Sequence, residues 1–149
     1  MKRYLGWILL SGLVLASCST TQKNTAAIKA LLDREAATWR AGDVQAHASC
    51  WVIRPYSTIL VSTADGKCFE VPPDLMIHPS ASSMGHGGTS TRSIYKFSIH
   101  GKAAWVSHDE VSVSPDGKKS YSHEIRMLEK VHHQWKLVGQ SIQLYVPEK

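Results

Sequence analysis

Several signatures that would assign a class of function are missing from these 149 residues. The three cysteines form no Cys-x-x-Cys pair, no two histidines have His-x-x-x-His spacing, and Gly-x-Ser-x-Gly is absent. The common patterns for zinc ligands and for a serine nucleophile are therefore lacking. The net charge is +5, but the basic residues are scattered without a run, which argues against nucleic acid as a partner. We accordingly predict no metal site and no cofactor.

The N-terminus has the layout of a signal peptide. Residues 1–3 contain two basic side chains, residues 5–15 are almost entirely apolar, and small residues follow. A basic start, an apolar centre and a small-residue exit are the three parts of such a signal. The apolar run is too short for a membrane span, which needs roughly 20 residues. We predict that residues 1–17 are a signal peptide.

The sequence Leu-Ala-Ser-Cys at residues 15–18 resembles the bacterial lipobox. That resemblance implies cleavage before Cys18, attachment of palmitate-type acyl chains to it, and firm anchoring to a membrane. Ser19, which stands where Asp would retain the protein in the inner membrane, implies the outer membrane of a Gram-negative cell envelope. Residues 18–25 would then be the lipidated cysteine and a polar tether. An ordinary secretory signal that happens to contain a cysteine is the alternative.

Residues 26–149 are enough for one domain with one hydrophobic core. Two cysteines remain in it, Cys50 and Cys68. An exported protein lies where disulfides persist, so these two can be bridged. Two free thiols are the alternative, because sequence spacing does not establish the geometry of a bridge.

Two helices are predicted at the start of the domain. Thr25 is a suitable N-cap for a helix that runs to Ala41, in which apolar residues recur at helical spacing. Gly42 follows as a C′ residue, and Asp43 caps a second helix from Val44 to about residue 51.

The remainder of the chain reads as strands joined by turns. A hairpin covers residues 56–69, and a Gly- and Ser-rich segment at residues 78–91 reads as a long mobile loop that could form the rim of a site. Two strands at residues 93–100 and 103–113 follow, and then a closing hairpin at residues 120–145 with its turn at His132-His133. Helices followed by strands indicate the α+β class, with N-terminal helices packed on a strongly curved antiparallel sheet.

This order of elements resembles the nuclear-transport-factor-2-like superfamily, which includes SnoaL-like and ketosteroid isomerase-like proteins. The local similarity lies in Glu-Lys-Val-His-His-Gln-Trp-Lys-Leu-Val at residues 129–138 and in Gly42-Asp43. The resemblance implies a cone-shaped domain and a homodimer. It implies no catalytic set, because the Asp base and the oxyanion donors of ketosteroid isomerase have no matching residues, and Ser141 stands where many SnoaL-like relatives carry a histidine.

Assumed turn positions give a strand register, and the register predicts which side chains share a face and could line a pocket. In that register Ile99 opposes Lys102, and one face of the sheet combines aromatic and aliphatic residues with a few polar groups. Such a mixture is typical of ligand pockets. With two tryptophans contributed by the helices, the candidate pocket residues are Trp39, Trp51, Tyr95, His108, Glu124, Arg126, Trp135 and Ser141.

These residue types suggest two chemistries. Arg126 has a planar fork that suits a carboxylate, and His108, oriented by Glu124 or Glu110, could act as a general base. The alternative is that the charged residues form an ion-pair network on a wet face of the sheet.

Three functions remain open from the sequence. The leading hypothesis is a membrane-anchored accessory module that binds a small anionic or amphipathic ligand. The second is an isomerase, dehydratase or hydrolase with His108 as base. The third is a scaffold that only dimerises through its sheet.

Overall fold

A computed structural model describes residues 8–148, and the side chains of residues 20–148 except Ala81. Its elements are α1 (Ile8–Ala41), α2 (Val44–Ala48), β1 (Ile59–Ser62), β2 (Cys68–Glu70), β3 (Thr89–His100), β4 (Ala103–Val113), β5 (Lys119–Val131) and β6 (Gln134–Tyr145), with short 3-10 helices at Pro73–Met76 and Ala81–Ser83. The strands form one sheet in the order β2-β1-β6-β5-β4-β3, antiparallel except where β1 runs parallel to β6. The predicted α+β class, with two helices on a curved sheet, is confirmed.

Helix α1 is longer than the sequence prediction. It begins at Ile8 rather than near Thr25, and it continues through residues 18–25. No Gly or Pro interrupts residues 13–41, so the backbone can stay helical throughout. Signal cleavage, lipid attachment at Cys18 and the tether stay predictions, and residues 1–7 lie outside the described residues. Within residues 8–148, no helix carries an apolar stretch long enough to span a bilayer.

The junction between the two helices follows the prediction. Gly42 has a φ of 69°, and the side chain of Asp43 accepts a hydrogen bond from the backbone N–H of Ala46. Helix α2 ends at Ala48, earlier than the predicted residue 51. It ends there because the next backbone segment joins the sheet: Trp51 forms a bridge with Leu137 of β6, and the N–H of Val52 donates to the Leu137 carbonyl.

The predicted register holds in the centre of the sheet. Val106 pairs with Arg126, His108 with Glu124, and Glu110 with Ser122. The β3–β4 register is wrong by two residues, since Ile99 pairs with Ala104 instead of Lys102. A shift of two leaves the side chains of residues 96–100 on their predicted faces, because side chains alternate with a period of two.

A bulge in β6 reverses the prediction for Ser141. Leu128 pairs with Leu137, but Met127 pairs with Gly139, so β6 has one extra residue at position 138. A bulge changes the face on which all following residues lie. Gln140 therefore pairs with Arg126 on the inner face, and Ser141 lies on the outer face.

The hydrophobic core fills the end of the cone where α1 crosses the sheet. Ile28, Leu31 and Leu32 are buried at helical spacing and pack against inner-face residues such as Val106 and Leu137. Trp51 and Trp135 belong to the same core. The Trp135 Nε1–H donates to Asn24 Oδ1 at 3.3 Å, which ties the end of the core to α1.

Both cysteines of the domain are free thiols, so the bridged alternative is wrong for this structure. Cys50 is buried in the core, where its sulfur lies 3.4 Å from Arg34 Nε. Cys68 is exposed on strand β2, near the edge of the sheet. The two residues belong to separate parts of the fold, as the sequence spacing could not show.

Candidate functional site

A cavity of about 610 Å³ lies between the helices and the inner face of the sheet. Its walls are mainly apolar, with Ala36, Trp39, Ile59, Val61, Val71, Met76, Val113 and Ile142 among them. Its floor is polar, and its outer end is formed by the β4–β5 turn and the segment before β3. This size and this division between apolar walls and few polar groups are typical of small-molecule sites.

The floor is built on Arg126, which is 4% exposed. Glu124 lies two positions earlier on β5 and therefore on the same face, and its Oε2 accepts a hydrogen bond from Arg126 Nε at 2.9 Å. Arg126 also donates to Gln140 Oε1, and its Nη1 lies 3.7 Å from Glu35 Oε2 on α1. One cation is thus held between two carboxylates from opposite layers of the fold.

The electrostatics of this pair favour the charged forms. Burial is the largest single effect and raises the pKa of Glu124, but Arg126, His108 and Ser122 together lower it by more, so the pKa lies below its usual value. Ser122 Oγ donates to the other carboxylate oxygen at 2.8 Å. Burial lowers the pKa of Arg126, whereas Glu124, Glu35 and Glu110 raise it further than burial lowers it. Both groups are therefore ionised at neutral pH.

His108 is positioned behind Glu124 and does not line the cavity. It is 2% exposed, and its Nε2 lies 3.7 Å from Glu124 Oε2. Burial, followed by the charge of Arg126, lowers the pKa of His108 to about 4 despite the opposing effect of Glu124. The ring is therefore neutral and a weak base at neutral pH, which disfavours the predicted general-base role.

A second buried ion pair lies beside the first. Arg92 Nε on β3 is 2.8 Å from Glu110 Oε2 on β4, and Arg92 Nη1 is 3.0 Å from Asp33 Oδ1. His108, Glu110 and Glu124 could together present three ligand atoms within 4.8 Å of one another. Arg92 and Arg126 already offset the charge of these carboxylates, so a metal ion there would face two guanidinium groups.

The outer end of the cavity, which we call the mouth, carries positive residues. Lys118 of the β4–β5 turn, Lys119 at the start of β5 and Arg40 of α1 line it. The segment before β3 forms part of this mouth, as predicted for a rim. It is attached to α1, since Gly85 N–H donates to the Trp39 carbonyl at 3.1 Å. The N–H of Gly87 donates in the same way to the Arg40 carbonyl at 2.7 Å.

Comparison with solved structures identifies the architecture. A protein from Novosphingobium aromaticivorans, described as NTF2-like with a cystatin-like fold, superposes with a TM-score of 0.66 at 15% identity, over 90% of each chain. An NTF-2 like protein of unknown function from Silicibacter pomeroyi gives a TM-score of 0.64 at 14% identity, over 83% of this chain and 98% of that one. Another from Shewanella baltica gives 0.63 at 17% identity, over 84% and 96%. The chain has the nuclear-transport-factor-2-like fold. Neither the known family profiles nor the curated proteins contain a match.

Within this nuclear-transport-factor-2-like cone, three predicted pocket residues line the cavity: Trp39, Glu124 and Arg126. Four others serve different roles or lie elsewhere. Trp51 and Trp135 are core residues. Ser141 lines a second hollow of about 380 Å³, which two other predicted residues, His108 and Glu124, also line, together with outer-face residues such as Ser107 and Ile125. Tyr95 stacks on Phe97, and Lys29 lies over its ring.

Three polar residues of the cone floor were missed from the sequence. Gln140 lies on the inner face because of the bulge, which leaves no periodicity signal in the sequence. Glu35 falls at helical spacing on the apolar face of α1, and a carboxylate at such a core-facing position is the signal that indicates it. His47 has a fully buried ring that lines the cavity, and its position on the buried side of α2 was the available signal.

Proposed function

We propose that this protein is a non-enzymatic binding module whose cone holds a small amphipathic ligand. The single observation that carries the proposal is the cavity of about 610 Å³ with apolar walls, a polar floor and an open, positively charged mouth. An apolar ligand body would gain roughly 25 cal/mol for each Å² that it removes from water. The few polar groups at the two ends would fix its orientation.

The charge distribution indicates where an anionic group of the ligand would lie. Arg126 already has Glu124 and Glu35 as partners at the floor, so a carboxylate there would meet two like charges. Lys118 and Lys119 lie in the exposed mouth. We therefore place the anionic group of an amphipathic carboxylate at the mouth and its apolar body toward the floor.

Binding explains the site better than proton transfer does. The candidate base His108 lies behind Glu124, has no contact with the cavity, and has a pKa of about 4. Arg126, His108 and Ser122 hold the pKa of Glu124 below its usual value, so this carboxylate has no proton to give and is a weak base. The site has the features of a rigid receptor, with fixed ion pairs below an apolar space.

The test measures decanoate binding to residues 20–149 by isothermal titration calorimetry. We expect wild type to bind decanoate, and Lys118→Glu/Lys119→Glu to bind it about tenfold more weakly, a change of about 1.4 kcal/mol. Decanol, which lacks the charge, should bind both proteins equally. Lys96→Glu/Lys102→Glu makes the same change of charge outside the mouth and serves as control. Absence of decanoate binding to wild type, or equal effects of the two double variants, would contradict the proposal.

We propose further that Cys18 anchors this module to the cell envelope. The support is the lipobox-like sequence at residues 15–18 behind an apolar run. In bacteria expressing the full chain, the wild type should label with a palmitate analogue and fractionate with membranes. Cys18→Ala should abolish the label, whereas Cys68→Ala, which also removes one thiol, should retain it. Labelling of Cys18→Ala would refute the anchor.

A second copy of the chain is the proposed partner on the outer face of the sheet. Trp105 on β4 is 45% exposed, and Ile125 on β5 is 46% exposed. We place the centre of the interface at these two residues, because contiguous exposed apolar surface marks sites of protein association. Light scattering should give the mass of a dimer for wild type and of a monomer for Trp105→Lys/Ile125→Lys. A monomeric wild type would overturn this assignment.

A further inference from the structure

Three segments of the chain meet at the end of the cone opposite the mouth. The backbone N–H of Lys130 in β5 donates to the carbonyl oxygen of Lys102, in the β3–β4 turn, at 2.7 Å. The Lys130 side chain donates from Nζ to Asn24 Oδ1 on α1 at 2.9 Å, and Trp135 Nε1 donates to the same oxygen. The early part of α1 and two turns of the sheet are therefore held together as one surface.

We call this surface the basic end and define it as residues 20–27, 98–104 and 129–136. It carries four lysines, which are Lys23, Lys102, Lys130 and Lys136. Glu129 is the one carboxylate in these three ranges, and its Oε2 lies 3.1 Å from Arg54 Nε. Five cations and one carboxylate leave a net charge of +4. The side chains of Lys23 and Lys102 are exposed, so this charge is open to a partner.

The mouth of the cavity lies at the other end of the same elements. Strand β5 begins at Lys119, which lines the mouth, and ends at Val131 in the basic end. The 12 steps between these residues, at about 3.3 Å each, span about 40 Å along the strand. Helix α1 likewise runs from Asn24 in the basic end toward the mouth. A partner that holds the basic end therefore leaves the mouth directed away from it.

The proposed lipid anchor adjoins the basic end. Helix α1 is continuous from Ile8 to Ala41, so residues 18 and 24 are six helical steps, or about 9 Å, apart along its axis. Attraction between charges in physiological salt extends over a Debye length of about 8 Å. Acyl chains on Cys18 would thus bring the four lysines close to the phosphate groups of a bilayer. Basic residues near such a surface are attracted to its anionic lipids.

We propose that the basic end is a docking surface for an anionic lipid bilayer. The protein then stands on the membrane with its mouth in the aqueous phase, and the ligand of the cavity enters from water. The inference goes beyond the proposed anchor, since the lysines attract lipid phosphates whether or not residue 18 is acylated. The mouth is the rival docking surface, because Lys118 and Lys119 make it positive as well.

The experiment measures cosedimentation of residues 20–149 with lipid vesicles. This piece lacks Cys18 but contains the whole hydrophobic core cluster. The vesicles are phosphatidylcholine alone or with about 30% phosphatidylglycerol. We expect half of the protein to bind the anionic vesicles at about 1 mM lipid, as four surface lysines predict. Neutral vesicles should not bind it, and about 0.5 M NaCl should release it by screening.

Three double variants identify the surface that binds. Lys23→Glu/Lys102→Glu in the basic end should raise the lipid concentration for half-binding by at least about tenfold. Lys67→Glu/Lys96→Glu makes the same change of charge at exposed positions outside both ends, and should raise it less than about threefold. Lys118→Glu/Lys119→Glu tests the mouth. A larger effect from this pair than from the basic-end pair would show that the mouth faces the bilayer and would overturn the proposal.

The remaining outcomes also decide the question. No binding of wild type at about 10 mM anionic lipid, equal binding to neutral vesicles, or equal losses in all three folded variants would refute the docking surface. Displacement by inorganic phosphate at constant ionic strength would show a site for single phosphate groups instead of a bilayer. Thermal unfolding verifies that each variant is folded. Decanoate binding and palmitate labelling are measured separately, so failure here leaves those two proposals standing.

Discussion

Arg126 Nη1 on strand β5 lies 3.7 Å from Glu35 Oε2 on helix α1, and both side chains are buried. This ion pair crosses the interior of the cone and joins the helix to the curved sheet. Because Glu124 shares the same guanidinium, Arg126 lies between two carboxylates in an apolar space. The floor of the cavity is consequently rigid, and its charges are largely satisfied before any ligand enters.

Removing the arginine should be far more damaging than removing a surface arginine. Arg126→Met leaves Glu124 and Glu35 without their cation, and breaking a buried ion pair costs about 3–5 kcal/mol. Arg54→Met is the matched control, since Arg54 Nε pairs with Glu129 Oε2 at 3.1 Å near the surface, where such pairs contribute about 0–1 kcal/mol. Urea denaturation measures both variants. Equal losses would contradict the buried network, and Arg126→Met/Glu124→Gln should recover part of the stability.

Stability should fall with acid because of His108. Its folded pKa is about 4, against 6.5 for the ordinary residue, so the unfolded chain binds a proton that the folded chain does not. The contribution is complete above about pH 6.5 and is lost as the pH falls to about 4, which amounts to about 3 kcal/mol. Below that range Glu124 continues the loss, since its lowered pKa gives stability that disappears on protonation.

The control for this titration is an exposed histidine. His108→Gln should flatten the dependence of unfolding free energy on pH between about 6.5 and about 4, the ordinary and folded pKa values of His108. His100→Gln, at an exposed turn, should leave it unchanged. An unchanged slope in folded His108→Gln would show that other groups produce the acid sensitivity.

Gly139 is required at the bulge of β6. A Cβ built there would lie 2.9 Å from the backbone oxygen of Thr58 and 2.4 Å from the terminal methyl group of Met127. The methionine can move, but the backbone oxygen cannot without disturbing the β1–β6 pairing. We expect Gly139→Ala to lose about 1–3 kcal/mol of stability, and Ser141→Ala, the control two residues along, to change it by less than about 0.5 kcal/mol. Denaturant melts that place both variants at the wild-type midpoint would contradict this.

The turn between β5 and β6 offers a stabilising change. His132 and His133 have φ values of 46° and 66°, a left-handed conformation that costs most residues about 1 kcal/mol. Asn-Gly is preferred where both central residues of a hairpin need positive φ. His132→Asn/His133→Gly should therefore raise the thermal midpoint by a few degrees. A lowered midpoint would indicate that the two histidines make favourable contacts.

The sequence was sufficient to predict the elements and their pairing where local signals and side-chain alternation agree. Asp43 and Gly42 defined the junction of the helices, and the predicted turns at residues 100–101, 115–118 and 132–133 defined the strand pairs. The resulting error of two residues in the β3–β4 register did not change the face of the sheet on which the paired side chains lie. His108, Glu124 and Arg126 were therefore placed together on one face without a structure.

The sequence alone thus determined the α+β class and the inner face of the central strands. Helix caps, turn residues and the two-residue alternation of side chains in strands all depend on residues that are close together in the sequence. Only the tertiary structure decided which polar residues form the floor of the cone. The bulge at residue 138 placed Gln140 rather than Ser141 on the inner face of the sheet. The packing of the helices across the sheet brought Glu35 and His47 to the cavity. These contacts join residues far apart in the chain, and distance across a fold has no periodic signature in the sequence.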